Sequence, residues 1–130
     1  NQPVDTLSGG QRQRAWIAMI LAQQTAIMLL DEPTTWLDIS HQIDLMELLC
    51  DLNQTNGYTI AAVLHDLNQA CRYATHLIAL RAGEIVAEGP PTSIVTAELI
   101  EHIYGVKSLI IADPVAGTPL VVPLGKPRRR

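Results

Sequence analysis

The chain contains no phenylalanine, and its few Trp and Tyr residues bring the aromatic share to only 4% of 130 residues. A core must therefore be built from Leu, Ile, Val and Ala packed in layers, which suits an α/β protein. Cysteine is almost as scarce. Cys50 and Cys71 each fall within helical periodicity and share no short spacing, which excludes a disulfide framework and a zinc knuckle. His41, His65, His76 and His102 lack ligand spacing as well, so no His/Cys metal centre is expected. No apolar run approaches the roughly 18 residues that a spanning helix needs, and no secretory signal pattern opens the chain. Any membrane role is expected to be peripheral. Basic charge is scarce in the body: of nine Lys and Arg, four (Lys126, Arg128, Arg129 and Arg130) occupy the last five positions, and the net charge is −4. Binding nucleic acid through phosphate neutralisation needs a basic face, so no nucleic-acid partner is expected, and the Arg tail reads as a solvated end. The chain also opens without Met, in Asn1-Gln2-Pro3, and reads as a fragment of one domain.

What is present alternates between helical and strand-like patterning. Gln11 to Gln24 carries Ala15, Ile17, Ala18, Ile20, Leu21 and Ala22 without Pro or Gly, predicting a helix buried over much of its circumference, with Ser8 and Gln11 as a capping box. Ala26 to Leu30 is a short apolar run ending in Asp31-Glu32-Pro33, as expected of a buried parallel strand. An amphipathic helix is predicted from Ser40 to Asn53, terminated by Asn56-Gly57. Tyr58 to Leu64 is a second apolar strand that delivers His65-Asp66, and a helix along Leu67, Ala70, Cys71 and Ala74 comes next. Strand, helix, strand and helix in this order predict a parallel βαβ core. His76 to Leu80 and Glu84 to Ala87 predict a hairpin around Gly83, which Pro90-Pro91 ends. A short helix from about Thr96 to Tyr104, closed by Gly105, and two strands, Leu109 to Ile111 and Leu120 to Val122, complete a small α+β tail.

Ligands of open α/β sheets bind at the carboxyl ends of parallel strands, so polar residues there carry the chemistry. Asp31 and Glu32 are adjacent carboxylates: one hard acid can help hold Mg²⁺ and its neighbour can polarise an attacking water, although two solvated acids in a turn would look the same. His65, at the end of the next strand, can donate to a terminal phosphate oxygen or serve as a satisfied structural residue. In Leu7-Ser8-Gly9-Gly10-Gln11 two glycines allow close approach to an anion at a helix N-terminus. Taken singly, that motif is no more than a good helix start.

The order of the three segments, LSGGQRQR, IMLLDEPTTWLD and VLHDLNQA, closely resembles the second half of an ABC-transporter ATPase, from about Asp5 to Leu124. The resemblance implies a partial P-loop NTPase domain: a parallel βαβ core followed by a C-terminal β-hairpin and the α+β tail. It divides residues 1–130 into a signature-helix region (1–24), a core from the Walker B strand to the switch histidine (25–75) and a C-terminal hairpin and tail (76–130). It further implies that Ser8, Gly9, Gly10 and Gln11 contact the γ-phosphate of a partner's ATP. Asp31 would ligate Mg²⁺, Glu32 would be the catalytic carboxylate and His65 the switch histidine, with Thr35, Trp36, Leu37 and Asp38 forming the D-loop. ATP and Mg²⁺ are the implied cofactors. The implied partners are a second ATPase subunit, transmembrane permease subunits and, indirectly, a periplasmic binding protein, at the cytoplasmic face of the inner membrane.

Trp36, the run Asp38-Ile39-Ser40-His41-Gln42, Leu67 to Tyr73 and the tail from Ile103 to Pro119 are similar to the ATPases of iron–siderophore importers, with cobalamin and haem importers as close relatives. No G-x-x-x-x-G-K-[ST] occurs in these residues, so the loop that cradles phosphates is missing from the sequence and the fragment alone is expected to be inactive. Two further readings stay open: a non-catalytic truncated interaction module, and a soluble ABC ATPase of DNA maintenance. The latter lacks support because there is no coiled-coil heptad segment and the surface is acidic.

Overall fold

A computed structural model describes residues 9–22 and 25–125. The chain forms two compact units, Asn1–His65 and Asp66–Arg130.

The first unit runs α1 (Gly9–Ala22), β1 (Ile27–Asp31), α2 (Ile39–Asn56) and β2 (Thr59–Val63). β1 and β2 pair in parallel, Ile27 opposite Thr59 through Asp31 opposite Val63, so the expected βαβ core is formed with α2 as its crossover. α2 starts where Asp38 caps it, accepting from the His41 N–H at 3.0 Å, the ordinary work of an N-cap aspartate. It stops at Gly57, whose φ of 72° and N–H bond to the Leu52 carbonyl close the helix in the left-handed conformation that glycine adopts at no steric cost. Ile17, Met28, Leu30, Leu45, Met46 and Leu49 are buried here.

Two expectations need correction. β1 is not buried on both faces: Met28 and Leu30 are covered, whereas Ile27 and Leu29 are 61% and 76% exposed. α1 likewise buries Ile17 but exposes Ala18, Met19 and Ala22. The reason lies in the sheet, since a parallel sheet reads as continuously apolar because layers cover both faces. Among the described residues α2 packs against both α1 and β2, and nothing covers the Ile27 and Leu29 face. Ser8, the first half of the expected capping box, lies outside the described residues.

The second unit contains α3 (Leu67–Tyr73), β3 (Leu77–Arg81), β4 (Glu84–Gly89), α4 (Pro91–Ile94), α5 (Ala97–Tyr104), β5 (Ser108–Ala112) and β6 (Pro119–Pro123). β3 and β4 are the expected hairpin, with an irregularity between Ala79 and Leu80. Its turn has positive φ at both Ala82 (50°) and Gly83 (79°), the pattern that suits the twist of a two-residue hairpin. The sequence pattern does not predict α4. The Pro-Pro pair ends the hairpin, but Pro91 at the first helical position also has its φ preset for one helical turn. Thr96 caps α5 and Gly105 closes it at φ 68°. Cys71, Val95, Ile100 and Val121 form the core, with Leu67, Leu77, Ile94 and Ile110 packed against it.

Polar contacts fasten α3 to the β5–β6 hairpin. Asn68 donates to the Val121 carbonyl at 3.1 Å and accepts from the Val121 N–H at 2.7 Å, standing in for a strand neighbour. Arg72 places Nε and Nη2 on Oδ2 of Asp113 at 3.0 and 2.6 Å. Asp113 is only 6% exposed and accepts through Oδ1 from the N–H groups of Val115 and Ala116. The Val115 N–H, then Arg72 and the Ala116 N–H, hold its carboxyl below the usual range. A depressed native pKa adds stability that is fully present above the unfolded aspartate value of about 3.9 and fades as pH falls through the lower native value. Asp113→Asn should therefore lower the urea midpoint of the second unit near neutral pH. The gap to the parent chain should narrow steadily below about pH 4; urea titrations at several pH values would show a constant gap if the pair contributes nothing.

Candidate functional site

β1 and β2 are parallel and in register to their last residues, so the residues just past each strand emerge side by side. The Glu32 N–H donates to the Val63 carbonyl at 3.0 Å, which carries the ladder one residue beyond β1. Val63 is two residues before His65, and the two side chains at the strand ends meet: His65 Nε2 contacts Oε1 of Glu32. With the carboxylate ionised, the imidazole N–H is the donor. On the other oxygen, Oε2, the Thr35 hydroxyl donates at 3.4 Å. The His65 hydrogen bond first, then its charge, hold the Glu32 carboxyl below its ordinary range against an opposing effect of burial, and the Thr35 hydroxyl adds a smaller push in the same direction as His65. Glu32 is thus an ionised carboxylate at neutral pH, the form that can accept a proton.

The backbone around it is tightly turned. Glu32 has a φ of 50°, its carbonyl accepts from the Thr35 N–H at 3.2 Å, and the Leu37 N–H donates to the Thr34 carbonyl at 3.2 Å. Two overlapping turns therefore span 32–37, pinned by the fully buried Pro33 and the buried Leu37.

The four residues expected to form the D-loop have separate tasks. Thr35 touches Glu32, Leu37 anchors the turn in the core and Asp38 caps α2. Trp36 projects into solvent, 96% exposed, at a φ of 71° that is costly for an aromatic residue. The His41 N–H and then the Ser40 hydroxyl lower the Asp38 carboxyl below its usual range. Sequence patterning does not single out Gln42, yet its Nε2 donates to the Leu37 carbonyl at 2.9 Å and fixes the loop's far end. Its only signal is the spacing of an amide four residues into a capped helix.

Asp31 ends β1 on the same face as Ile27 and Leu29 and is exposed. Its carboxylate can offer a hard oxygen ligand to a divalent cation, with the remaining positions left to water or phosphate. Among the described residues, no group of three His, Cys, Asp or Glu side chains is placed to hold a metal by itself. Gly9, Gly10 and Gln11 form the first turn of α1, and Ser8 lies outside the described residues. Gly9 and Gly10 are thus inside the helix start rather than in a loop before it.

A model of the ABC transporter family matches residues 1–35. Over 126 residues, 97% of this chain, the sequence is 80% identical to the ferric enterobactin transport ATP-binding protein FepC of Escherichia coli (strain K12). Over nearly its whole length the chain is thus similar to the ATPases of ABC transporters. It spans 46% of the length of FepC, so these residues amount to under half of such a relative. Among solved structures, an inward-facing putative metal-chelate type ABC transporter superposes with a TM-score of 0.86 at 30% identity, covering 97% of this chain and 51% of that one. The dimeric bacterial ABC transporter cassette MJ0796 gives 0.60 at 41% identity, with coverage of 69% and 38%. Among the described residues no helix is long and apolar enough to cross a membrane.

Proposed function

We infer that residues 1–130 are the C-terminal portion of the nucleotide-binding domain of an ABC importer ATPase that drives iron–siderophore uptake. The pairing of Glu32 with His65 at the ends of two parallel strands carries this reading. In it Glu32 orients and activates the water that attacks the γ-phosphate of ATP, and His65 stabilises the charge that develops on that phosphate. Nε2 of His65 meets Glu32 from the neighbouring strand, which leaves Nδ1 as the ring nitrogen for the phosphate. Asp31 contributes to holding Mg²⁺, which when bound neutralises phosphate charge. Ser8, Gly9, Gly10 and Gln11 contact the γ-phosphate of ATP held by a second subunit, at the N-terminal, positive end of the α1 dipole.

The D-loop reading of Thr35, Trp36, Leu37 and Asp38 is supported by the exposure of Trp36, which a partner surface would cover. The partners are a second ATPase subunit, transmembrane permease subunits and, indirectly, a periplasmic binding protein. The site of action is the cytoplasmic face of the inner membrane. Siderophore iron is favoured by the 80% identity to a ferric enterobactin protein over nearly all of this chain.

ATP titrated calorimetrically into this chain alone should give no heat beyond dilution, because the sequence carries no phosphate-cradling loop. The longer protein should bind it in a Mg²⁺-dependent manner. Micromolar binding by the chain alone would place the nucleotide grip elsewhere and overturn the division of labour.

A further inference from the structure

Glu32 has a carboxylate with about four acceptor sites, and its terminal torsion is broad and roughly two-fold, so a single hydrogen bond to one oxygen leaves the group free to rock. His65 holds Oε1. The hydroxyl of Thr35, three residues on, reaches Oε2 at 3.4 Å. That reach comes from the turn, because the Thr35 N–H bonds to the Glu32 carbonyl and folds residue 35 back over residue 32. The turn is itself held at both ends, by the buried Pro33 and by Leu37, whose side chain is buried and whose carbonyl receives the Gln42 amide.

We propose that Thr35 is a positioning residue for Glu32: its hydroxyl holds the carboxylate oxygen that His65 leaves free and so fixes the plane in which the carboxylate meets water. The inference rests on the reading of Glu32 as the base that activates water. With one donor on each oxygen, two lone-pair sites remain for the attacking water, both in a set direction. Correct placement within hydrogen-bond reach is what general-base catalysis needs. Thr35 touches neither water nor nucleotide in this account and acts through Glu32 alone. Because Thr35 lies in the turn that also carries the exposed Trp36, any partner that seats the turn would steady the carboxylate through the same hydroxyl.

The test is steady-state ATP hydrolysis by the intact ATPase carrying Thr35→Val, Thr35→Ala, Thr35→Ser or Glu32→Gln. Thr35 is exposed and valine matches its shape, so melting temperatures should agree; should valine fail to fold, alanine serves in its place. The contact is long, so its loss should lower kcat by about three- to tenfold, with the KM for ATP within about twofold. Serine should restore kcat to within about twofold, since it keeps the hydroxyl. Unchanged kcat in the valine and alanine variants, a fall that serine does not rescue, or a rise in KM at constant kcat would each overturn the inference. If Glu32→Gln itself leaves turnover intact, the reading of the site fails first and the role of Thr35 falls with it.

Discussion

On the proposed reading of Glu32 as the base, Glu32→Gln in the intact ATPase is expected to lower ATP turnover by at least about a hundredfold while leaving ATP affinity within about twofold. The substitution keeps the length and nearly the shape of the side chain, so the buried Pro33, the 32–35 turn and the bond from the Glu32 N–H to the Val63 carbonyl have no reason to change. What it removes, on that reading, is the proton acceptor. The structure sharpens the expectation, because the donors on the two carboxylate oxygens, His65 and Thr35, would face an amide. Only one end of the amide can accept; the other presents N–H groups to a donor. The glutamine therefore loses a lone pair for water and one of its two supports together. Steady-state hydrolysis alongside nucleotide binding separates the two effects. Turnover within about threefold of the parent would remove Glu32 from the chemistry.

The site was legible in the sequence to the degree that strand ends were legible. The run from Ala26 to Leu30 and that from Tyr58 to Leu64 were apolar enough to be recognised as strands, and parallel pairing then brings the residues after them together without further information. The contact between Glu32 and His65 is the direct result. Helix ends were equally readable at Gly57 and Gly105, which stand at left-handed caps, whereas Asp38 and Thr96 emerge as N-caps only in the structure.

Burial was not legible. A continuous apolar strand says that its two faces are compatible with cover. It says nothing of whether these 130 residues supply both layers, and for Ile27 and Leu29 the described residues do not. Nor was α4 readable, because Pro90-Pro91 signals an ending and a beginning with the same residues. Gln42 and Asn68 escape notice for a different reason. Each serves a backbone group through geometry that depends on tertiary placement, and an amide in a helix carries no pattern that distinguishes such a role from solvation.

His65→Ala tests the second half of the pair and should lower kcat of the intact ATPase by about a hundredfold, in the range seen when one preorganised donor to a developing charge is lost. The imidazole is mostly exposed, with 73% of its side chain open to solvent, so its removal creates no cavity and the melting temperature should hold. Two consequences then coincide. In the proposed mechanism the γ-phosphate loses a donor, and the Glu32 carboxylate loses the hydrogen bond that is the largest influence keeping its pKa low. On that reading one residue serves both groups, so the effects of His65→Ala and Glu32→Gln should not add in full. Once Glu32 can no longer accept a proton, orienting it has no further value, so His65→Ala should slow the Glu32→Gln variant by clearly less than it slows the parent, the remainder being the lost phosphate donor. Full additivity would mean that the two side chains act on separate steps, and that their contact in this structure is only an incidental surface pairing.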